Sequence, residues 1–414
     1  MLTIYKALSI AAFPFIEIWL IYRAFKGKEN KISFAQRFAK ITINRPQGKI
    51  IWVHAVSVGE TNSALTLIEE ILKKDKDSKI LLTTTTLTSA QIVHNKLAEF
   101  NERLMHQFLP VDSFYVARNF LNFWQFDKAI FVESEIWPNL ICEAKKLQIP
   151  LYLVNARISQ KSYRRWLFLQ RFFFTKIFDK FDKIFVQSQN DKDKFIKLKS
   201  QEVLFFGDLK AQSKALFFDD DELKKLKSKI KNRKILLCAS THSKEEEIII
   251  ECHKNLKTKF PNLLTIIIPR HPNRSQEICN LLKNYKFAKR SNNDKIHQDK
   301  EIYLVDSLGE LGLFYKLADF AFIGGSLADI GGHNPFEAIK LDCAVISGKN
   351  FYNFGDIYQE LIKNKGCIII DKSDNFEKYI TKLLLDKNLA KDLLKNAKST
   401  IKKINVTKEI IKNI

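Results

Sequence analysis

A glutamate follows an apolar run and a small-residue turn near the beginning of the chain. In residues 51–60 (IWVHAVSVGE), the run passes through Ser57 and Gly59 before Glu60 opens a helical pattern. A carboxylate at the end of a strand could act as a general base that accepts the proton of an attacking alcohol. The position equally suits an acid that only stabilises the helix start, by about 0.3–1 kcal/mol. Because the helix dipole favours the ionised form, we expect it to lower the basicity of Glu60.

Two more carboxylates follow a second apolar run. Residues 129–139 (AIFVESEIWPN) place Glu133 and Glu135 directly after a predicted strand. Two like charges are costly to bury together, so such pairs usually face a site or a cation. The sequence leaves open which of the two faces the site.

Basic residues follow the next predicted strand. Residues 155–166 (NARISQKSYRRW) carry Arg157, Lys161, Arg164 and Arg165 among aromatic side chains. Guanidinium groups can bind phosphate through two parallel hydrogen bonds, which favours a phosphorylated substrate. A solvated basic helix face would give the same pattern.

The second half of the chain contains segments suited to an anionic ligand. Residues 239–242 (ASTH) precede an acidic helix start, where free backbone N–H groups bind anions, although plain N-capping explains the same residues. Residues 269–272 (PRHP) fix a cation and an imidazole between two prolines. Residues 322–338 (FIGGSLADIGGHNPFEA) combine glycine turns with a helix start, where a phosphate can approach the backbone. Asn334, Pro335 and Glu337 also fit a capping box, which is compatible with such a site.

Short apolar runs alternate with amphipathic helical segments along most of the chain, which predicts the scaffold of these sites. The rhythm is typical of parallel, doubly wound α/β sheets, which bind ligands at the carboxyl ends of their strands. It pauses at residues 208–232 and then restarts, so we predict two sheet domains joined by a linker. The apolar runs lie at residues 50–55, 80–85, 129–133, 151–155, 184–187 and 203–206, and then at 234–239, 263–269, 302–306, 320–324, 344–347 and 367–371.

The N-terminus is mostly apolar and is followed by positive charge. Residues 7–22 are too short for a typical membrane span and lack a signal-peptide cleavage site, whereas Trp19, Tyr22 and several basic residues follow. We predict a membrane-associated helix within residues 1–35, either a short anchor or an interfacial helix, with the rest of the chain in the cytoplasm. A surface helix packed on its own domain is the alternative.

Charge and cysteine usage agree with this location. The net charge of +22, from 68 basic and 46 acidic residues, favours an anionic partner, although a lysine-rich surface would also produce it. The six cysteines form no CxxC pair and several lie in apolar runs, which indicates reduced, buried thiols.

Seven segments, in register and almost from end to end, resemble the Kdo transferase family. Their residues are 54–60 (HAVSVGE), 133–139 (ESEIWPN), 155–159 (NARIS), 207–210 (GDLK), 239–242 (ASTH), 269–272 (PRHP) and 331–335 (GGHNP), the last followed by Glu337. The family usually has Asn where this chain has Asp208, so no role is assigned to that segment.

The resemblance implies a GT-B fold, with an acceptor-binding domain at 36–207 and a CMP-Kdo-binding domain at 233–414. It implies inverting, metal-independent transfer of Kdo from CMP-Kdo to a lipid A precursor, lipid IVA, at the inner membrane and without a cofactor. The predicted catalytic residues are Glu60 as base, with Glu133 and Glu135. Predicted acceptor-binding residues are Arg157, Arg164 and Arg165. Predicted donor-nucleotide residues are Ser240, Thr241, His242, Pro269, Arg270, His271, Gly324, Gly325, Asn334 and Glu337.

Two other functions are compatible with parts of the sequence. Another GT-B enzyme of envelope assembly, using a nucleotide-diphosphate sugar, is compatible with the arginine cluster. A membrane-associated nucleic-acid-binding protein would explain the charge, but no RNA-binding signature is present, so we predict no nucleic-acid partner.

Asp191 and Asp193, like residues 219–221, resemble a DxD metal motif only formally, because no predicted strand precedes them. The number of Kdo residues transferred and the oligomeric state are left open.

Overall fold

The computed structural model describes residues 2–40, 42–170, 175–198, 202–212, 215–371, 375–402 and 405–414. Two compact units divide the chain, residues 1–213 with 404–414 and residues 214–403. The strands are β1 (Ile50–His54), β2 (Lys79–Thr84), β3 (Leu104–Phe108), β4 (Lys128–Val132), β5 (Leu151–Ala156), β6 (Lys183–Val186), β7 (Val203–Phe205), β8 (Lys234–Thr241), β9 (Leu263–Pro269), β10 (Phe287–Lys289), β11 (Ile302–Leu304), β12 (Phe320–Ile323), β13 (Ala344–Gly348) and β14 (Cys367–Ile370).

Helices separate most of these strands, as the alternating pattern predicts. They are α1 (Leu2–Ala11), α2 (Phe13–Phe25), α3 (Lys31–Arg37), α4 (Val58–Lys74), α5 (Leu87–His94), α6 (Phe114–Trp124), α7 (Pro138–Lys146), α8 (Gln160–Gln170), α9 (Thr175–Phe178), α10 (Gln189–Lys197), α11 (Asp220–Lys229), α12 (Glu245–Lys259), α13 (Ser275–Leu281), α14 (Leu311–Leu317), α15 (Pro335–Lys340), α16 (Gly355–Lys363), α17 (Phe376–Leu385), α18 (Lys387–Lys402) and α19 (Val406–Lys412). Short 3₁₀ helices cover Leu97–Phe100, Leu209–Gln212, Pro272–Arg274 and Tyr352–Phe354.

Each unit contains a seven-stranded parallel sheet. The order is β3-β2-β1-β4-β5-β6-β7 in the first unit and β10-β11-β9-β8-β12-β13-β14 in the second. Strand order therefore reverses between β1 and β4, and again between β8 and β12. Such reversals open a crevice at the carboxyl ends of the strands, where open α/β sheets bind their ligands.

Alternate residues of a strand enter opposite hydrophobic cores. In β1, Ile50 and Trp52 belong to the core on one face, whereas Ile51 and Val53 belong to the core on the other. Because both faces are covered, the central strands are mostly apolar on both faces. The predicted doubly wound α/β architecture is confirmed.

Two edge strands were missing from the prediction. Strand β3 contains His106 and Gln107, whose polar side chains interrupt the apolar run. Strand β10 is only three residues long. Each lies at the edge of its sheet, so neither has the long apolar sequence of the central strands.

The predicted linker at 208–232 is divided between the units. Its first part, Leu209–Gln212, packs against α4 and α19. Its second part includes α11, where Glu222 is bound by the Arg290 guanidinium at 2.8 Å. The last residues, which we assigned to the second domain, group with the first unit, because Val406 and Ile410 enter the core beside α4.

The N-terminal apolar segment forms two helices rather than one. Helices α1 and α2 meet at a 51° bend, and Pro14 occupies the first turn of α2, where the missing N–H of proline costs nothing. Among the described residues no single helix satisfies the length and hydropathy of a membrane span, whereas this bent pair does so in combination. The Tyr5 hydroxyl donates to Asp112 at 3.0 Å, and the Asn139 side chain donates to the Ser9 hydroxyl at 3.0 Å. These bonds hold α1 against the first unit.

Gly324 follows β12 where the chain crosses the end of β8. A Cβ atom there would lie 2.4 Å from the backbone oxygen of Ser240 and 2.7 Å from the Cα of Thr241. Because backbone atoms cannot move aside cheaply, we predict that Gly324→Ala lowers the free energy of unfolding by about 2 kcal/mol or more. Urea denaturation followed by far-UV circular dichroism would measure the loss.

Gly355→Ala is the matched control for this substitution. No heavy atom lies within 4 Å of its added Cβ, and its φ of −52° is helical. We expect its stability to change by less than about 1 kcal/mol. An equal loss in the two variants would contradict the steric explanation.

Candidate active site

The three predicted catalytic glutamates lie together at the strand reversal of the first sheet. Glu60 is in the first turn of α4, after β1, and Glu133 and Glu135 follow β4, the neighbour of β1. The negative charges of Glu133 and Glu135 both act on the Glu60 carboxyl. The structure therefore brings the three predicted glutamates to the same edge of the sheet, and their catalytic roles stay a prediction.

Glu60 is held by neutral hydrogen-bond donors. Its carboxylate accepts from the Val56 N–H at 2.8 Å and from the Ser57 hydroxyl at 2.9 Å, while Ser57 caps α4. Burial raises the pKa of Glu60 above its ordinary value, the two neighbouring glutamates raise it further, and the two hydrogen bonds oppose the shift. The pKa of Glu60 is therefore raised overall, because desolvation is the larger effect, and the separate contribution of the helix dipole stays a prediction.

Glu133 is fixed by cations instead. It is only 4% exposed and adopts a left-handed backbone with φ of 62°. Its carboxylate contacts Arg157 Nε at 3.1 Å and Lys210 Nζ at 2.8 Å. Burial disfavours the charged form of Lys210, but Asp208 and Glu133 outweigh it and raise the pKa of the ammonium.

Glu135 shares a donor with a buried histidine. The Trp137 indole N–H points to Glu135 Oε2 at 3.0 Å and to His54 Nε2 at 3.2 Å. The other ring nitrogen of His54 lies 2.9 Å from the Thr83 hydroxyl. The side chain of Glu135 is 19% exposed, against 6% for Glu133. Of the two acids, Glu135 is thus the more accessible.

The predicted basic cluster is divided. Arg157 binds Glu133, so its charge is largely committed to that carboxylate. Arg164 and Arg165 are exposed on α8. Within the part of the chain that the structure describes, neither forms an ion pair with the three glutamates.

Imidazoles gather at the strand reversal of the second sheet. His242 follows β8, and its Nε2 lies 2.8 Å from the Nε2 of His333, with the rings stacked at 5.1 Å. His271 contacts His242 edge-on at 5.6 Å. Burial, then the charge of Arg270, lowers the pKa of His333 to about 4, and burial also lowers the pKa of His242. Both rings are therefore neutral at pH 7, beside the cationic Arg270.

The remaining predicted nucleotide residues have clear structural contacts. Ser240 has a left-handed φ of 57° at a bulge in β8, and the Thr241 hydroxyl donates to Glu246 at 2.9 Å. Asn334 caps α15 by accepting from Phe336 N–H at 3.0 Å, and its amide donates to Glu337. The capping box differs from our prediction, because Glu337 reaches the side chain of Asn334. Pro269 is buried at the end of β9.

The glycine turn is not an open anion site. The N–H of Gly325 donates to the Glu245 carboxylate at 2.7 Å, as does the N–H of His242 at 3.0 Å. The free N–H groups predicted at this helix start and turn therefore already have an internal partner. Gly324 is required by the close approach of β8.

No group of three or more metal-ligating side chains is positioned for a metal within the described ranges. Of the two DxD-like sequences, Asp219 caps α11, whereas Asp191 lies in the first turn of α10, which Ser188 caps. Asp191 accepts from the Ser188 hydroxyl and the Ile158 N–H, and Asp219 from the first N–H groups of α11.

Comparison with known proteins identifies the family. The sequence model described as "3-Deoxy-D-manno-octulosonic-acid transferase (kdotransferase)" matches residues 32–213. The chain is 35% identical to 3-deoxy-D-manno-octulosonic acid transferase of Rickettsia bellii, over 99% of this chain and 97% of that protein. It is 40% identical to the Rickettsia felis protein of the same name, over 82% of this chain and 72% of that one.

The chain belongs to the Kdo transferase family. It is accordingly a glycosyltransferase, as predicted. Its fold is similar to that of UDP-GlcNAc 2-epimerase from Neisseria meningitidis, with a TM-score of 0.60 over 88% of this chain and 98% of that one. At 13% identity this likeness shows the fold alone, which is the predicted GT-B fold.

Sequence reasoning missed several residues of this Kdo transferase that hold the predicted ones in place. Lys210 lies in residues 207–210, one of the segments that resemble the family. No role was assigned to that segment, because Asp208 stands where the family usually has Asn. His54 also lies in such a segment, residues 54–60. Its contact with Trp137 joins positions far apart in sequence, so the sequence could not show it. Glu245 was one of three adjacent glutamates, and only its hydrogen bonds to the turn after β12 distinguish it.

Lys210 is the more buried cation on Glu133, so its removal should be costly. We predict that Lys210→Met lowers the free energy of unfolding of the first unit by about 3 kcal/mol, because it leaves a buried carboxylate undercompensated. Arg157→Met should cost clearly less, since its side chain is 44% exposed against 17% for Lys210. All tryptophans lie within residues 1–213, so tryptophan fluorescence in urea reports on this unit. Equal losses in both variants would contradict the argument from burial.

Proposed function

We propose that this Kdo transferase takes Kdo from CMP-Kdo and transfers it to a lipid A precursor, lipid IVA, with inversion at the anomeric carbon. Family membership supports the sugar. The observation that carries the mechanism is the Glu60 carboxylate, which lies at a strand end in the reversal crevice and has a raised pKa. A raised pKa makes a carboxylate a better proton acceptor at neutral pH.

The proposed reaction has one transfer step. The acceptor hydroxyl oxygen bonds to the anomeric carbon while the bond from that carbon to the CMP phosphate oxygen breaks. The hydroxyl proton goes to Glu60, and CMP leaves with the electron pair of the broken bond. Glu133 is committed to its cations, so its role is to position this edge of the sheet and to keep the Glu60 pKa high. Glu135, the more accessible acid, is the candidate partner facing the substrate.

The donor phosphate is assigned to the second unit. Arg270 supplies a cation at the end of β9, and the neutral imidazoles of His242 and His333 can donate or accept hydrogen bonds beside it. A single phosphate leaving as CMP carries less charge than a nucleoside diphosphate. Fixed donors and one guanidinium can stabilise that charge, which supports transfer without a metal.

The direct test is transfer from CMP-Kdo, generated in situ, to a radiolabelled tetra-acylated lipid A precursor in the presence of EDTA. A product of lower mobility supports donor, acceptor and metal independence together, and its shift counts the sugars. Absence of product from folded, detergent-solubilised enzyme would reject the proposal. Nucleotide-diphosphate sugars would then be screened as donors.

Glu60→Gln keeps the shape of the side chain but removes the proton acceptor. We predict that it lowers kcat at least about 100-fold, with CMP binding unchanged, as expected for loss of a general base. In the wild type, kcat should rise with pH as Glu60 loses its proton. The midpoint of this rise should lie above the ordinary pKa of a glutamate, since burial raises the Glu60 pKa.

The control is Glu70→Gln, a partly exposed acid on the same helix that pairs with Lys73. It removes the same charge and should retain full activity. Unchanged turnover in Glu60→Gln would exclude Glu60 as the base.

We also propose that helices α1 and α2 attach the enzyme to the cytoplasmic face of the inner membrane. Their outer surface exposes large apolar side chains, including Phe15 at 73% and Phe25 at 87%. Arg23 lies in the last turn of α2 and Lys26, Lys28 and Lys31 follow, and such a polybasic segment is attracted to anionic lipid. The acceptor is a lipid, so this attachment would place the active site near its substrate.

Membrane attachment should depend on these aromatic side chains. We predict that Phe15→Ser combined with Phe25→Ser lowers binding to vesicles containing anionic phospholipid roughly 100-fold, since each phenylalanine contributes about 1.5–3 kcal/mol on burial. Flotation of the full chain with the vesicles measures this. Phe217→Ser is the control, because Phe217 is 83% exposed in the second unit. Equal flotation of the double variant and the wild type would refute the proposal.

A further inference from the structure

A buried carboxylate in the second unit is surrounded by backbone N–H groups. Oε1 of Glu245 accepts from Ser326, Leu327 and Ala328 at 3.0, 2.9 and 3.3 Å. Oε2 accepts from Gly325 at 2.7 Å and from His242 at 3.0 Å. The side chain is completely buried. One carboxylate thus has five backbone donors, supplied by two separate segments.

Four of these donors are consecutive N–H groups of the turn after β12, which we call the 325–328 nest. Successive N–H groups that converge in this way form a concave site for an anion. The nest lies beside the imidazoles described above, since a Cβ atom on Gly325 would come within 3.1 Å of the His333 ring. It therefore lies at the strand reversal where this fold binds its ligands.

Contacts other than those with Glu245 also hold the nest. The Ser326 hydroxyl donates to the Ile323 carbonyl oxygen at 2.6 Å and accepts from the Gly348 N–H at 2.7 Å. The Ser326 carbonyl accepts from the Asn350 N–H at 3.0 Å. These contacts to β12 and to the end of β13 fix the turn independently of Glu245. Removal of the carboxylate should leave a formed but empty anion site.

We propose that Glu245 is a specificity-determining residue that fills the 325–328 nest with an internal carboxylate and so restricts the donor to nucleotides with one phosphate. The inference rests on the proposed use of CMP-Kdo. A first phosphate can be bound at Arg270 and the imidazoles. A second phosphate would reach a nest whose donors are already occupied, and it would meet the negative charge of Glu245. Nucleoside diphosphates are thereby disfavoured without any steric wall.

The test compares CMP and CDP binding to the full chain by isothermal titration calorimetry. We expect the wild type to prefer CMP. In Glu245→Ala the second phosphate gains charge-assisted hydrogen bonds, so CDP should strengthen relative to CMP by about tenfold or more. Glu245→Gln, a neutral side chain of the same size, should relax the preference in the same direction.

The matched control is Glu247→Ala, which removes an exposed carboxylate from the same helical turn. It changes the net charge equally and should keep the wild-type ratio of CMP to CDP affinity. If folded Glu245→Ala and Glu245→Gln both keep that ratio, the proposal is wrong.

A second measurement separates this inference from the proposed donor. Inorganic pyrophosphate should raise the Tm of Glu245→Ala but not of the wild type or Glu247→Ala, because only an emptied nest can take it. Failure of the wild type to bind CMP would overturn the donor assignment, while the pyrophosphate shift would still test the nest. If neither Glu245 variant folds even with pyrophosphate present, the carboxylate is purely structural and the proposal fails.

Discussion

A carboxylate removed from water must be compensated by hydrogen bonds or by a cation, and this constraint organises the two sites. Glu133 binds Lys210 and Arg157, so it connects the end of β4 to the segment after β7. Glu245 binds the turn after β12 to the end of β8. Removing one partner of such a buried group typically costs about 3–5 kcal/mol. The same acids that make the strand ends polar therefore also hold them together.

The constraint extends to the N-terminal helices. Asp112 accepts from the Asn139 and Leu140 N–H groups at the start of α7 and from the Tyr5 hydroxyl of α1. Burial raises the pKa of Asp112, and these three donors oppose the shift. One compensated acid thus couples the apolar N-terminal helices to the helix that follows Glu133 and Glu135. Tyr5 and Asp112 thereby link α1 to the edge of the first sheet that carries the three glutamates.

Backbone conformation at the strand ends shows why part of the site could be predicted and part could not. The order of apolar and polar residues placed Glu60, Glu133 and His242 after their strands, because that order is local. Glu133 and Ser240 adopt a left-handed backbone, with φ of 62° and 57°. Glutamate and serine usually avoid this conformation, so the sequence gives no sign of it. The partners that stabilise these conformations, Lys210 among them, come from distant segments. A lone sequence likewise could not show that Glu245, rather than Glu246 or Glu247, enters the 325–328 nest.

Glu60 and Glu133 illustrate how environment assigns different roles to the same side chain. Glu133 faces two cations, which compensate its buried charge. Glu60 has only neutral donors, is partly desolvated and lies within the field of two other carboxylates, so its pKa rises. If Glu133 and Glu135 were both uncharged, they would no longer raise the Glu60 pKa. If Glu133 had no cations beside it, its burial would be too costly. The Lys210 and Arg157 contacts therefore permit a second acid to stand beside Glu60, and its charge in turn raises the pKa of Glu60.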